Sequence, residues 1–181
     1  MKSLKSILPK RSGRSYGKVT VRHQGGRQKR FLREIDFKRA KKDIWARVEA
    51  LEYDPNRNAQ IALLIYEDGE RRYILAPAGL SEGSKVIASA EAPVEPGNAM
   101  PLSKIPAGTP IHNIEIKPGK GAQVVKSAGS LAAVQGREDK YVLVKLPSGE
   151  VKRFLPDAWA VVGQVGNAEA KNRNLKKAGR K

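Results

Sequence analysis

The sequence predicts an all-β protein made of two small β-barrels with basic flexible tails, on three observations. Polar and apolar residues alternate with a period of two in about ten short stretches, the pattern of half-buried strands. Gly and Pro occur at 17 and 11 of the 181 positions, so turns are frequent and long helices are not expected. The cations crowd the two ends, which marks arms added to an ordinary folded centre.

The elements follow in order. Residues 1–30 form a basic arm whose first sixteen positions read as flexible. Residues 17–23 (GKVTVRH) alternate as a short strand, broken by Gln24, Gly25, Gly26 and Arg27. Residues 31–37 resume the alternation, with Phe31, Arg33, Ile35 and Phe37 on one face, and residues 38–42 are a basic loop. From Ile44, one side carries Ile44, Ala46, Val48 and Ala50; the other carries Trp45, Arg47, Glu49 and Leu51. Residues 54–58 (DPNRN) are a turn, because Pro fixes φ and Asn tolerates left-handed backbone. Residues 59–66 (AQIALLIY) read as a buried strand, Asp68-Gly69 as a hairpin turn, and residues 70–76 and 85–90 as two more strands. Five strands within residues 31–95 suit a small closed barrel of the OB type. Pro93, Pro96, Pro101, Pro106 and Pro110 mark a connector over residues 96–110. A second set of five strands, at 111–117, 129–134, 139–146, 150–155 and 160–165, suits an SH3-like barrel over residues 111–168. Residues 169–181 form a basic C-terminal tail.

The chain carries 35 Lys and Arg against 18 Asp and Glu, a formal charge of +17. Residues 1–42 hold fifteen of these cations and two acids, Glu34 and Asp36, whereas residues 43–110 are net acidic. A surplus of this size calls for a polyanionic partner. An anionic membrane is the weaker candidate, because no apolar run is long enough to span a bilayer and no secretory signal is visible. There is no cysteine, which excludes disulfides, thiol nucleophiles and cysteine-based zinc sites.

Reactive chemistry finds little support. The two histidines, His23 and His112, fall on different units, and each reads as a hydrogen-bonding or stacking group. The acid pairs Glu67/Asp68 and Glu138/Asp139 sit at turns. Residues 13–19 are one position too short for a phosphate-binding P-loop and lack the Ser or Thr after Lys18. We therefore expect no catalytic residues, no metal, no cofactor and no small-molecule substrate. The glycines suit RNA instead: a Gly beside Arg or Lys lets a backbone N–H approach a phosphate while the cation neutralises it. Three loops have this form: Arg22 to Arg27 through Gly25 and Gly26; Lys117 to Gly121 through Gly119 and Lys120; and Lys177 to Arg180 through Gly179.

These residues also carry a resemblance. The strings GKVTVRHQGGRQKRFLREIDFKR (17–39), EYDPNRNAQIALLIYEDGERRYILAP (52–77), PGNAMPLSKIPAGTPIHNIEIKPGKGAQ (96–123), LPSGEVKR (146–153), VGQVGN (162–167) and KAGR (177–180) resemble the universal large-subunit ribosomal protein family conventionally numbered two. The resemblance implies an OB-fold followed by an SH3-like barrel. It implies direct binding to large-subunit (23S-type) ribosomal RNA, with neighbouring ribosomal proteins as further partners. It also implies a ribosomal location, in cytoplasm or organelle matrix, and support of subunit association and of the peptidyl-transferase region. The implied RNA contacts are Arg22, His23, Gly25, Gly26, Lys29, Arg30, Lys38 and Arg39 in the first part. Lys117, Lys120, Lys126, Asn167, Lys177, Gly179 and Arg180 follow in the second. Two departures stand out. Arg27 and Gln28 replace the family's third loop glycine and the histidine after it, and family members continue beyond the position of Lys181 into a long His- and Gly-rich extension. The competing reading is a free-standing OB-fold protein for single-stranded nucleic acid, which would need an aromatic-lined groove. Only Trp45, Tyr53, Tyr66 and Tyr73 could line one in the first barrel.

Overall fold

The computed structural model describes residues 4–7, 9, 12–26 and 28–177. The chain divides into two compact units, Met1–Glu34 and Ile35–Lys181. Among the described residues, the first contains four short strands: β1 (Lys5–Ile7), β2 (Arg14–Ser15), β3 (Lys18–Val19) and β4 (Phe31–Arg33). β1 pairs antiparallel with β4, and β2 with β3. Tyr16 and Gly17 turn the β2–β3 hairpin with φ of 48° and 76°, the positive pair that suits a two-residue turn between twisted strands. A hairpin thus stands where a flexible arm was expected. The strand expected over 17–23 is cut to two residues because the N–H groups of Thr20 and Val21 both donate to the Gly13 carbonyl, at 2.8 and 2.9 Å.

The second unit opens with a four-stranded antiparallel sheet. Its strands are β5 (Ala46–Glu52), β6 (Ile61–Tyr66), β7 (Arg71–Leu75) and β8 (Lys85–Val86), in the order β7-β6-β5-β8. Val48, Leu64, Ile74 and Val86 point into a shared core. The Asp68-Gly69 hairpin forms as expected: Gly69 has φ 79° and its N–H donates to Tyr66 at 2.9 Å. A bulge between Val48 and Ala50 adds an unpaired residue to β5, which bends and further twists that strand.

The remaining strands are β9 (Ala99–Pro101), β10 (Pro110–His112), β11 (Ile114–Glu115), β12 (Ala122–Val124), β13 (Ala132–Glu138), β14 (Tyr141–Lys145), β15 (Val151–Phe154) and β16 (Trp159–Val162). Six of them form one sheet in the order β15-β14-β13-β10-β16-β9, and β11 pairs with β12 alone. Ile111, Val134, Val144, Phe154 and Val162 fill its core. The fold is all-β, and its curled sheets are consistent with an OB-fold followed by an SH3-like barrel.

The connector expected over 96–110 is not a linker. β9 lies within it and pairs with β16, and Met100, Leu102 and Ile105 are buried in the second core. β9 is an edge strand, where Pro101 removes no needed ladder donor. β12 is a strand the alternation did not reveal. The strand expected over 129–134 starts later and runs further, past a bulge between Val134 and Gly136.

The four-stranded and six-stranded sheets of this unit are stitched together by backbone. Ala99 N–H donates to Ile87 and Ser89 N–H to Ala99, both at 3.0 Å. Gly166 N–H donates to Ala76 at 2.9 Å and Ala78 N–H to Gln164 at 2.8 Å. Ala88, Ala99 and Val161 pack at this seam, with Trp159 against them. A Cβ at Gly166 would lie 2.9 Å from the Ala76 oxygen, so only glycine fits this approach.

Candidate nucleic-acid interface

The loop between β11 and β12 is built on a buried acid. The Glu115 side chain, 2% exposed, accepts from the N–H of Gly121 at 2.8 Å through Oε1. Its Oε2 accepts from Gly119 at 3.3 Å and from Trp159, the first residue of β16, at 3.2 Å. One carboxylate therefore fixes the loop and ties it to the sheet, leaving Lys117, Gly119 and Lys120 exposed at its tip. Gly121 closes the loop at φ 84°, and a Cβ there would lie 3.2 Å from the Phe37 oxygen and 3.0 Å from the Lys38 side chain. We expect Gly121→Ala to cost about 1–2 kcal/mol from the left-handed backbone alone, read as a lower urea midpoint at unchanged m.

Opposite this loop, Ala122 N–H donates to the Phe37 carbonyl at 2.8 Å, which brings the basic 38–42 segment alongside. Asp36 shapes that segment. Its Oδ1 accepts from the N–H of Arg39 at 2.8 Å and of Lys38 at 3.2 Å, while its Oδ2 accepts from Arg72 at 2.9 Å. The resulting turn sends Lys38 outward and Arg39 inward. Arg39, expected as an RNA contact, is 4% exposed; the Asp36 turn, with φ 49° at Arg39 itself, directs its guanidinium away from any phosphate outside.

Cations from both barrels converge on aromatic rings here. The Arg57 guanidinium lies 5.8 Å from the centre of the Phe37 ring, and the Lys126 ammonium lies 4.6 Å from it. Lys42 sits 4.4 Å over Trp159. Each such pair contributes about 0.5–1 kcal/mol at an exposed site and also orients the cation. Sequence reasoning missed Arg57 and Lys42. Arg57 had a signal in the DPNR turn, whose buried Asp54 accepts from the Asn56 backbone and side chain at 2.9 Å each and from Arg57 Nε at 2.6 Å. Lys42 had none, because its ring lies over a hundred residues away in sequence.

Burial alone would raise the Asp54 pKa, but the hydrogen bonds from Asn56 and Arg57 outweigh it and hold the carboxyl below its ordinary range. A folded-state pKa below the unfolded value of about 3.9 gives stability that is complete above that pH and is lost as pH falls through the folded value. We expect Asp54→Asn to flatten this acid limb, measured as urea midpoints over about pH 2–5.

The other expected contacts are placed as follows. In the first unit, Arg22, His23, Gly25, Gly26 and Lys29 are exposed and Arg30 is half-buried. Asn167 is exposed, yet its Nδ2 donates to the Asn58 carbonyl at 2.6 Å, so its amide serves the fold. Lys177 is exposed, while Arg27, Gly179 and Arg180 lie outside the described residues. Of the four aromatics that could line a stacking groove, Tyr66 and Tyr73 are core residues; Trp45 and Tyr53 are exposed.

The two halves of this surface correspond to two family matches. Residues 1–88 match the RNA binding N-terminal domain of Ribosomal Proteins L2, and residues 95–181 match the C-terminal domain of the same family. The chain belongs to the ribosomal protein L2 family. Within the L2 frame, Lys38, Lys42 and Arg57 come from the N-terminal domain, while Lys117, Lys120, Lys126 and Trp159 come from the C-terminal one. The aromatic-backed cluster of cations therefore draws on both L2 domains.

Proposed function

We propose that this chain is a structural constituent of the large ribosomal subunit that binds large-subunit ribosomal RNA and catalyses no chemistry itself. The observation that carries the reading is the convergence of Arg57 and Lys126, from different barrels, on the single ring of Phe37. A cluster assembled from two domains presents fixed charges to a folded backbone, and RNA of this kind is recognised by shape and phosphate position. The exposed cations Arg22, Lys29, Lys38, Lys117, Lys120 and Lys177 neutralise phosphates, Gly25, Gly26 and Gly119 allow close backbone approach, and His23 hydrogen-bonds or stacks. In the assembled particle the protein supports subunit association and the peptidyl-transferase region, beside neighbouring ribosomal proteins. Its place is the ribosome, in cytoplasm or organelle matrix.

Footprinting on deproteinised ribosomal RNA at two salt concentrations tests this. One compact protected region in large-subunit RNA, persisting at the higher salt, is expected. Equal binding to random single strands would instead favour the free-standing OB-fold reading, which the burial of Tyr66 and Tyr73 disfavours.

A further inference from the structure

Among the described residues, Tyr16 is the most exposed large hydrophobic, at 102%, and it stands at the tip of the β2–β3 hairpin. That hairpin is held at its base. The Gly13 carbonyl accepts from the Thr20 N–H at 2.8 Å, from the Val21 N–H at 2.9 Å and from the Thr20 hydroxyl at 2.9 Å. A Cβ at Gly13 would lie 2.5 Å from the Val21 oxygen, so this closure requires glycine. The register pairs Ser15 with Lys18 and Arg14 with Val19. Cross-strand partners share a face and successive residues alternate. Lys18 and Arg14 therefore stand on opposite faces of the ribbon, one on each side of the tip, and both are exposed.

The turn is a costly place for a ring. A two-residue hairpin turn with both φ positive favours Asn, Asp or Gly. Gly17 meets that preference, but Tyr16, at φ 48°, does not, because a bulky side chain is an outlier in the left-handed region. The side chain buries no surface in return. Strained residues of this kind cluster at ligand clamps and switch regions.

Charge and shape select the partner. No Asp or Glu precedes Glu34, whereas Arg14, Lys18 and Arg22 all lie in the hairpin or just beyond it. An apolar protein pocket would take the ring but would desolvate cations on both flanks. A flat anionic surface meets one face of a ribbon, not two. A nucleic acid meets all three groups, with phosphates on either side and a base between them whose π face stacks on tyrosine. Side chains do not read the deep, narrow major groove of an RNA duplex, so the base belongs to a loop or bulge.

We infer that Tyr16 stacks on an unpaired nucleotide of the large-subunit RNA while Arg14 and Lys18 neutralise the phosphates flanking it. This rests on the RNA-binding reading and adds to it a residue and a class of nucleotide.

Filter binding of the full chain to deproteinised large-subunit RNA, with chemical probing of unpaired nucleotides, tests it. Tyr16→Asn removes the ring at a position where Asn tolerates the left-handed backbone, so the hairpin is kept. Its urea midpoint should match or exceed that of wild type. Its RNA affinity should fall roughly 5- to 100-fold, the loss typical of a truncated base–aromatic stack. Its salt slope should stay at the wild-type value, whereas Arg14→Gln combined with Lys18→Gln should flatten the slope by about 1.4–1.8, at ~0.7–0.9 per phosphate contact. Tyr16→Phe should bind as wild type does. One or two loop or bulge nucleotides inside the protected region should become reactive with Tyr16→Asn and stay protected with Tyr16→Phe. Wild-type affinity in Tyr16→Asn, or Tyr16→Phe binding as weakly as Tyr16→Asn, overturns the stacking inference and leaves the RNA reading standing. A wild-type chain that gives no compact footprint overturns both.

Discussion

Glu115→Ala is expected to lower the unfolding free energy by about 3 kcal/mol, because it leaves three backbone donors without their charged acceptor. Those donors belong to Gly119, Gly121 and Trp159, so the loss spreads from the basic loop into β16. Glu115→Gln keeps one oxygen and should retain part of the stability. Denaturant unfolding distinguishes the two, with an unchanged m for both if the native state stays compact. RNA affinity should fall further than stability alone explains, since Lys117 and Lys120 lose the frame that aims them. If Glu115→Ala leaves the midpoint where it is, the carboxylate does not organise the loop.

The second large effect is electrostatic. Replacing Lys38, Lys117, Lys120 and Lys126 with Gln should reduce the slope of log K against log salt by about 3, at ~0.7–0.9 per phosphate contact. Between about 50 and 200 mM salt the variant's affinity would then fall roughly 60-fold less than that of wild type. Filter binding to large-subunit RNA across that range measures it, and Arg39→Gln is the control. Arg39 is buried, so its loss should leave the slope alone. A slope that moves equally in both variants would mean that charge at this seam acts through the fold.

Much of the architecture was legible locally. Alternation marked the strands of the four-stranded sheet, Asp68-Gly69 marked a hairpin, and the Gly- and Lys-rich segment at 117–121 marked a tight exposed loop. What escaped was set by distant partners. β9 is hidden among prolines and becomes a strand only because β16 pairs with it. The inward turn of Arg39 depends on Asp36 three positions earlier, yet the pocket that accepts it contains Asn113 and Trp159. Arg57 reads as a turn residue until folding places Phe37 beneath it. Period and turn chemistry are short-range signals; cation–aromatic contacts and edge pairing are not.

The pairing of Ala99–Pro101 with Trp159–Val162 has a consequence for biosynthesis. At about 5–20 residues per second of translation, the β9 segment must wait roughly 3–12 s before its partner is made. Through that interval Met100, Leu102 and Ile105 have no second core to enter, whereas the four strands of the first barrel are already complete. A nascent chain halted between these points should present a greasy stretch to a chaperone next to a finished N-terminal half, and release should follow once Val162 has left the exit tunnel.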